Sequence, residues 1–522
     1  MRLYQLAAVI MLSVLTTVLV LTCLARTDGL LVYSLDDPYI HLSLAETILQ
    51  GGYGVNQGEY ASPSSSIIYP FLLAGAIAIG PNNWMPLVLN ILPMMAVAWI
   101  FAGIYWRHAV NPAAQSSVMV AIFVLPFLLY ALNMVALPLT GMEHPLHILA
   151  SLWIMVGVIA LANGQGISWM LISGIVLAPL IRFEGLALSL AALVALVVYR
   201  HIRLALVTGV VLGLCLTAYV VFMTRLGLPI LPSSVMSKSA IAETAVDGGF
   251  SGILTTFKDT LWVGVARRAG AVVLIAFALI VLAISEPSRT RADTVIGMVG
   301  GFAVFAHLLA GDYGWFGRYE IYVVGIAMVS LLYLYGPWLR EKTNRLWLRI
   351  VGTSALILAV AVPYLRVQND TARASENIFA QQYQMHRFST EFFPYPVAIN
   401  DLGYVSYQNE IYVLDLWGLG SEEARQKNRR GEFRTEEIVG QTENKTIAYA
   451  MIYTEVFDEA IPAEWCRIAT LTTPAVTAAY ADVDFYLIER ERESEIRLAL
   501  EAFRQTIPDV ASLGIQSCQD GA

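Results

Sequence analysis

The sequence predicts a polytopic α-helical membrane protein with a C-terminal α/β domain, and three observations support this fold class. Of the 522 residues, 57% are hydrophobic and only 14% are charged, whereas an ordinary soluble domain has about 25% charged residues. Apolar segments long enough to cross a bilayer recur up to about residue 364. After Arg366 charged runs appear and the apolar runs become short. We therefore expect a membrane domain over 1–365 and a soluble domain over 366–522.

A membrane-spanning helix needs about 20 apolar residues. The first apolar segment has no convincing small-x-small cleavage site after it, so we expect a retained anchor rather than a signal peptide. The candidate segments lie at 4–25, 67–80, 85–106, 116–137, 145–162, 168–181, 184–199, 202–224, 269–285, 294–311, 319–337 and 346–364.

Basic loops predict the orientation, because lysine and arginine favour the cytoplasmic side of short loops. Four loops are basic, at 106–111, 199–203, 285–293 and 337–345. With these inside, the first loop (27–66), the other loops and the C-terminal domain are extracytoplasmic. Segment 67–80 conflicts with this parity and is short for a span. We expect it to be re-entrant or interfacial, which leaves about 11 spans. The alternative is that the basic loop 106–111 breaks the charge rule.

The C-terminal domain is predicted from short apolar runs and one amphipathic segment. The runs "VAIND", "IYVLDL" and "VDFYLIE" indicate strands, and "ESEIRLALEAFRQ" indicates a helix. Cys466 and Cys518 form a disulfide if this domain is extracytoplasmic, and are two free thiols otherwise. Cys23 and Cys215 lie in apolar segments and are expected to be inert.

Ionisable residues gather on the predicted outer side. Placing an ionisable side chain within a membrane costs free energy, so such a residue is first interpreted as part of a functional site. Several of them at one face suggest a single site. The candidates are Asp36, Asp37, His41, Glu143, His144, Arg182, Glu184, Lys238, Asp312 and Arg318.

The adjacent aspartates Asp36 and Asp37 precede Pro38. Asp37 is expected to cap a helix whose first residue is Pro38, since proline lacks only an N–H that is unbonded there. His41 then lies one turn from Asp37 on the same face. A cap accounts for one aspartate and not for two, so both remain catalytic candidates. Asp36 is slightly favoured, because a capping Asp37 has one oxygen already occupied.

The remaining charged candidates each have a structural alternative. Glu143 is either a helix-end anchor or part of the site. Arg182 and Glu184 form either an ion pair that holds a helical hairpin or a substrate contact. Lys238 is either solvated or bound to a lipid phosphate, and Arg318 belongs either to an interfacial aromatic belt or to a phosphate site.

Two aspartates of the soluble domain follow strand-like runs. Asp401 and Asp415 are expected to cap turns. The alternative is that they contact an acceptor near the membrane surface, in which case the domain lies over the site and helps to select the acceptor.

The order of motifs over roughly 30–420 resembles the GT-C glycosyltransferases, and in particular the bacterial arabinofuranosyl- and mannosyltransferases that use polyprenyl-phosphate sugars. The motifs are "DDPYI", "TGMEHPL", "RFEGL", "LPSSVMSKS", "GDYGWFGRY" and "NDLGYVSYQNEIYVLDLWGLG". The resemblance implies a multi-pass enzyme of the bacterial plasma membrane with an extracytoplasmic active site, a lipid-linked donor and a glycan or lipid acceptor. It also implies a catalytic aspartate in the first outer loop, where Asp36 and Asp37 lie.

Three further motifs of the family map onto this chain. "TGMEH" (140–144) stands for Thr/Ser-Gly-Leu-Glu-Thr, "RFEG" (182–185) for Arg-Pro-Glu-Gly, and Pro232 to Lys238 for Pro-Asn-Thr…Lys. This chain departs at His144, Phe183 and Ser233, where the family has threonine, proline and asparagine. The charged positions are kept.

The chemistry of sugar transfer fits these residue types. An inverting transfer needs a carboxylate that accepts the proton of the acceptor hydroxyl. The leaving lipid phosphate needs cations, for which Lys238, Arg182 and Arg318 are candidates. The two aspartates with Glu143 are also candidate ligands for a divalent cation, Mg²⁺ or Mn²⁺, which only some members of this fold use.

Two other classes of function remain as alternatives. A transporter or flippase of a lipid-linked or small polar substrate would place its charges near the membrane midplane on repeated halves. A non-catalytic assembly protein would leave the outer-face cluster without a purpose. The sequence shows charges at one face and no repeat, which favours the enzyme, and no basic patch with interleaved aromatics that would indicate nucleic acid.

Overall fold

The apolar segments form helices in the computed structural model, which describes residues 1–232, 258, 260–264, 266–340, 346–427 and 433–518. Among the described residues, seven helices are long and apolar enough to cross a membrane, and four shorter apolar helices accompany them. The number of spans stays a prediction. The helices are α1 (Arg2–Arg26), α2 (Asp37–Leu49), α3 (Tyr69–Ile77), α4 (Met85–Ala109), α5 (Gln115–Ala131), α6 (His144–Ala162), α7 (Trp169–Ile181), α8 (Gly185–Val198), α9 (Ile202–Arg225), α10 (Arg268–Ile284), α11 (Arg291–Ala310), α12 (Ile321–Arg340) and α13 (Leu346–Ala380).

Helix α3 does not cross the bundle. Its nine residues extend about 14 Å, which is less than half the hydrocarbon thickness. At its start, the Tyr69 hydroxyl donates to the carbonyl of Gly141 (2.7 Å), and Gly141 packs against Tyr33. After α3, Asn83 accepts a hydrogen bond from the Tyr33 hydroxyl (2.7 Å). Both ends of the segment therefore lie at one end of the bundle, and the parity of the crossings stays a prediction.

The basic loops meet at the opposite end of the bundle. Their described arginines donate to backbone carbonyls of neighbouring helix ends: Arg340 to Arg107 (3.0 Å), Arg289 to Leu334 (2.7 Å) and Arg291 to Val198 (2.5 Å). Helix α12 begins beside the acidic loops and ends at Arg340. The acidic and basic loops are thus separated by the length of this 20-residue helix, as the charge pattern predicted.

The C-terminal part contains a six-stranded mixed sheet. Its strand order is β2-β1-β3-β5-β4-β6, with β1 parallel to β2 and β3 and the other pairs antiparallel. The three strands predicted from sequence are β1, β2 and β5, whereas β3, β4 and β6 were not predicted. The strands are β1 (Val397–Ile399), β2 (Val413–Asp415), β3 (Tyr449–Ile452), β4 (Cys466–Thr472), β5 (Asp482–Leu487) and β6 (Ser512–Ile515).

Helices cover the sheet, and the predicted amphipathic helix is among them. It spans Glu493–Arg504 and buries Ile496, Leu500 and Phe503 at helical spacing. The other helical segments are Gln382–Arg387, a π-helical turn at Phe388–Phe392, Gly403–Ser406, Glu422–Lys427, Thr435–Asn444 and Thr454–Phe457.

The sheet and the bundle are joined covalently and by packing. Helix α13 runs for 35 residues across position 366 and leads directly into the sheet domain. Ile40 of α2 and Val55 of the first loop belong to the apolar core of the sheet. Cys466 and Cys518 are joined by a disulfide with a Cα–Cα distance of 5.5 Å. The first loop is therefore held against the C-terminal domain.

Candidate functional site

A cavity of about 430 Å³ lies between the acidic end of the bundle and the C-terminal domain. Carboxylates dominate its polar lining, and one exposed cation accompanies them. The bundle contributes Asp36, Asp37, Asp312 and Arg267, and the C-terminal domain contributes Asp401 and Thr477.

Asp36 binds the backbone of the C-terminal domain. Its Oδ2 accepts the N–H of Gly403 (2.7 Å) and its Oδ1 accepts the N–H of Tyr404 (2.8 Å). A Cβ at position 403 would overlap the Asp36 carboxylate, so only glycine allows this approach. Burial, together with the nearby Asp401 carboxylate, raises the pKa of Asp36 well above its ordinary value. Both oxygens of Asp36 are thus engaged in joining two parts of the molecule.

Asp37 has a different environment, and its predicted role as helix cap is wrong. Helix α2 begins at Asp37 itself, which places Asp36 at the N-cap position, and no side-chain cap bond forms there. The Asp36 carboxylate instead accepts the backbone N–H groups of Gly403 and Tyr404 in the C-terminal domain. Asp37 Oδ1 accepts a hydrogen bond from Arg318 Nη2 (3.1 Å). Asp37 is 21% exposed, towards the cavity, whereas Arg318 is 1% exposed.

Arg318 has unused hydrogen-bonding capacity. Besides Asp37, its Nη2 donates to the Tyr319 hydroxyl (3.0 Å), and its guanidinium carbon lies 4.9 Å from the centre of the Tyr319 ring. Its Nε and Nη1 are buried with no partner in the described part of the chain. His144 contacts the edge of Tyr319, and both of its ring nitrogens are also buried with no partner among the described residues. Buried donors without partners are rare and indicate a ligand or water site.

Arg182 is the centre of a second, closed cluster. Its Nη1 binds Glu143 Oε1 (2.6 Å) and its Nη2 binds Glu184 Oε1 (2.6 Å). The ion pair predicted between Arg182 and Glu184 is present, and Glu143 joins it. Ser65 donates to Glu143 (3.2 Å), and His41 Nε2 lies 4.0 Å from the same carboxylate. His41 therefore faces Glu143 and belongs to this cluster.

The structure divides the predicted site residues into groups. Asp36, Asp37 and Asp312 line the cavity, with Arg318 and His144 behind them. His41, Glu143, Arg182 and Glu184 form the closed cluster, and Lys238 lies outside the described residues.

The suggested metal-ligand set does not form as a group. Glu143 is bound to Arg182 rather than placed with Asp36 and Asp37. In the ranges that the structure describes, no three His, Cys, Asp or Glu side chains are grouped so as to hold a metal ion.

Two cavity residues were not among the site residues predicted from the sequence. Arg267 was not proposed, and Asp401 was considered for the site only as an alternative to a role in a turn. Arg267 lines the cavity, and its Nη1 donates to the carbonyl of Tyr313 (2.6 Å); the sequence indicated only that its loop is extracytoplasmic. Asp401 accepts from Gln382 Nε2 (2.8 Å) and from the Tyr453 hydroxyl (2.5 Å). Burial raises its pKa above the ordinary value. Asp401 thus faces the cavity from the C-terminal domain.

Asp415 is a turn residue, as predicted. Its two oxygens accept the N–H groups of Trp417 (2.9 Å) and Gly420 (2.7 Å). Burial, which outweighs these bonds, raises its pKa to about 6. The turn carries Leu419, which lines the cavity, so the contribution of Asp415 to the site is indirect.

Comparison with known proteins gives limited matches. A family model described as "Domain of unknown function (DUF8728)" matches residues 376–487. No curated protein matches the chain. Among solved structures, the chain is similar to the apo-form crystal structure of the Archaeoglobus fulgidus oligosaccharyltransferase. The TM-score is 0.47 and the identity 12%, over 90% of this chain and 73% of that chain. The functional argument therefore rests on the geometry of the site.

Proposed function

We propose that this protein is a membrane glycosyltransferase that moves a sugar from a polyprenyl-phosphate donor to a glycan or lipid acceptor, with Asp37 as general base. One observation carries the proposal. A partly exposed carboxylate at a 430 Å³ cavity is paired with a buried arginine whose other two guanidinium nitrogens have no partner among the described residues. This arrangement offers a proton acceptor and an anion site side by side.

The carboxylate of Asp37 is suited to the attacking side of the reaction. The acceptor hydroxyl attacks the anomeric carbon, a C–O bond forms, and the hydroxyl proton moves to Asp37. Its Oδ1 accepts a hydrogen bond from Arg318 at 3.1 Å, which orients the carboxylate, and its side chain is 21% exposed at the cavity, which makes it accessible to an acceptor. Asp36 is not suited to this role, because both of its oxygens accept backbone hydrogen bonds.

Arg318 and His144 are suited to the leaving group. As the bond between the anomeric carbon and the phosphate oxygen breaks, its electron pair stays on the lipid phosphate. Arg318 Nε and Nη1 and the ring nitrogens of His144 are unused donors or acceptors at this place, and a guanidinium binds phosphate through two parallel N–H bonds. Arg182 is excluded from this role, because two carboxylates already neutralise its charge.

The C-terminal domain is proposed to hold the acceptor. It forms one wall of the cavity through Asp401 and Thr477, opposite the bundle. Asp36 fixes that wall by its bonds to Gly403 and Tyr404. A wall that belongs to a separate domain can vary with the acceptor while the bundle keeps the donor site.

The proposed location is the extracytoplasmic face of a bacterial plasma membrane. The disulfide Cys466–Cys518 supports an oxidising compartment for the C-terminal domain. The basic loops at the far end of the bundle support a cytoplasmic location for that end. Both observations support a cavity on the extracytoplasmic side.

The test is transfer by the purified full chain in lipid vesicles. Undecaprenyl-phosphate mannose, glucose, galactose and arabinofuranose are supplied as donors with labelled sugars, and membrane glycolipids and soluble glycans as acceptors. We expect one donor to be consumed with formation of a new glycoside, and Asp37→Asn to reduce this by 10²–10⁴-fold. Movement of the donor across the vesicle without a new glycoside would instead support a flippase.

A further inference from the structure

The loop before α12 contains a left-handed turn. Four successive residues have positive φ: Gly314 (89°), Trp315 (45°), Phe316 (66°) and Gly317 (63°). Side chains other than glycine rarely adopt this conformation, and it persists only where surrounding contacts enforce it. Asn133 Nδ2 donates to the carbonyl of Phe316 (3.1 Å) and Gly314 donates to Glu320 Oε2 (2.8 Å). The fold therefore maintains a costly conformation at this position.

The turn places two neighbouring side chains in opposite environments. Arg318 is 1% exposed and reaches Asp37, whereas Trp315, three residues earlier, is 53% exposed. Trp315 lines the same cavity as Asp37 and Asp312. Other tryptophans of the described chain, such as Trp262 and Trp338, are also exposed, but Trp315 is exposed at a polar cavity and on a strained turn.

We infer that Trp315 is a sugar-binding residue that stacks on the apolar face of a saccharide ring in the cavity. One face of a sugar ring presents C–H groups, for which an indole is a large and rigid partner. The edge of the ring carries hydroxyl groups, which donate hydrogen bonds to the carboxylates of the cavity. The ring belongs to the donor or to the acceptor, and this inference rests on the proposed function.

The cavity argues against a role as a membrane anchor. Tryptophans at a membrane interface face lipid headgroups. Trp315 instead shares its cavity with Asp36 and Asp37 of the bundle and with Asp401 and Thr477 of the C-terminal domain. A second exposed tryptophan, Trp169, begins α7, is 64% exposed and lies at the opposite end of the bundle. It is a matched control for the loss of an exposed indole.

The experiment measures equilibrium binding of defined probes to the full-length chain and to its Trp315→Ala, Trp315→Phe and Trp169→Ala variants. The acceptor probes are methyl glycosides of mannose, glucose, galactose and arabinofuranose. The donor probes are the matching undecaprenyl-phosphate sugars, with undecaprenyl phosphate alone as the sugar-free reference. Thermal unfolding of each variant checks the fold.

We expect Trp315→Ala to weaken binding of one class of sugar probe about tenfold, Trp315→Phe to recover most of it, and Trp169→Ala to change nothing. If only the undecaprenyl-phosphate sugars bind more weakly, Trp315 stacks on the sugar ring of the donor. If the methyl glycosides bind more weakly, Trp315 stacks on the sugar ring of the acceptor. Unchanged binding of both classes in Trp315→Ala overturns the inference. Saccharide binding that depends on Trp315 without any transfer would contradict the proposed function alone.

Discussion

Arg182 and Arg318 both contact the Tyr319 ring, with guanidinium carbons 5.7 and 4.9 Å from its centre, but they have opposite surroundings. Arg182 binds two carboxylates, each at 2.6 Å. Arg318 binds one carboxylate at 3.1 Å and keeps two buried nitrogens without a partner in the described ranges. Arg182 has the bonding of a structural clamp, whereas the two unpartnered nitrogens of Arg318 support the proposed anion site. The number of unused donors therefore separates two arginines that look alike in sequence.

The largest effect on stability is expected at the closed cluster. Glu143→Gln removes a carboxylate that is fully buried and leaves the charge of Arg182 incompletely neutralised. Loss of one partner of a buried pair costs about 3–5 kcal/mol. Thermal or denaturant titration of the protein in detergent measures the free energy of unfolding, which should show this loss. An unchanged midpoint would mean that the cluster is not the clamp described above.

A smaller loss is expected at the contact between the bundle and the C-terminal domain. Asp36→Asn replaces one of two acceptors with an NH₂ group that faces the backbone N–H of Gly403 or Tyr404, which should cost about 1–3 kcal/mol. Hydrogen exchange of those two amides should accelerate. The exposed Asp370→Asn, which removes the same charge from a surface pair with Arg373, is the control. Equal behaviour of both variants would contradict the role of Asp36.

Arg318→Lys tests the anion site that we propose at Arg318. Lysine keeps the positive charge but loses the planar fork, including Nε and Nη1. We expect the KM for the lipid-phosphate donor to rise about tenfold, equivalent to about 1.4 kcal/mol, with little change in unfolding. Steady-state kinetics with varied donor measure this. A KM that does not move would indicate that Arg318 serves only to position Asp37.

The smallest effect is expected at Glu184. Its side chain is 33% exposed, so water partly replaces the carboxylate when it is lost. Glu184→Gln should reduce the free energy of unfolding by less than about 1 kcal/mol. The same titration as for Glu143→Gln measures it. A loss as large as that of Glu143→Gln would show that burial does not distinguish the two partners of Arg182.

The sequence predicted the helices well and the partners of the charged residues only in part. Apolar length determines where a helix runs, which is why α1, α4 and α6 begin and end within a few residues of the predicted segments. The gathering of acidic loops at one end also follows from charge and parity. Strands β3, β4 and β6 were missed, because their short runs lack a distinctive period.

The roles of Asp36 and Asp37 could not be predicted from local rules. A capping argument considers one helix, whereas the donors to Asp36 come from residues 367 and 368 positions away. Arg318, the partner of Asp37, is 281 positions away. These tertiary contacts are the reason that we propose Asp37 as the reactive carboxylate, whereas the sequence alone leaned towards Asp36. The pair Arg182–Glu184 was predictable because its members are two residues apart.

The most direct test of this account compares the transfer rates of Asp36→Asn and Asp37→Asn in the same vesicles. We predict that Asp37→Asn, at a temperature where it stays folded, lowers the rate by 10²–10⁴-fold. Its free energy of unfolding should also fall, because Arg318, which is 1% exposed, loses a carboxylate partner. We predict that Asp36→Asn, at a temperature where it stays folded, retains the rate to within about tenfold, since the hydrogen bond that it loses is to the backbone of Gly403 or Tyr404 and not to the reacting groups. The reverse result, with Asp36→Asn inactive and Asp37→Asn active, would contradict the account.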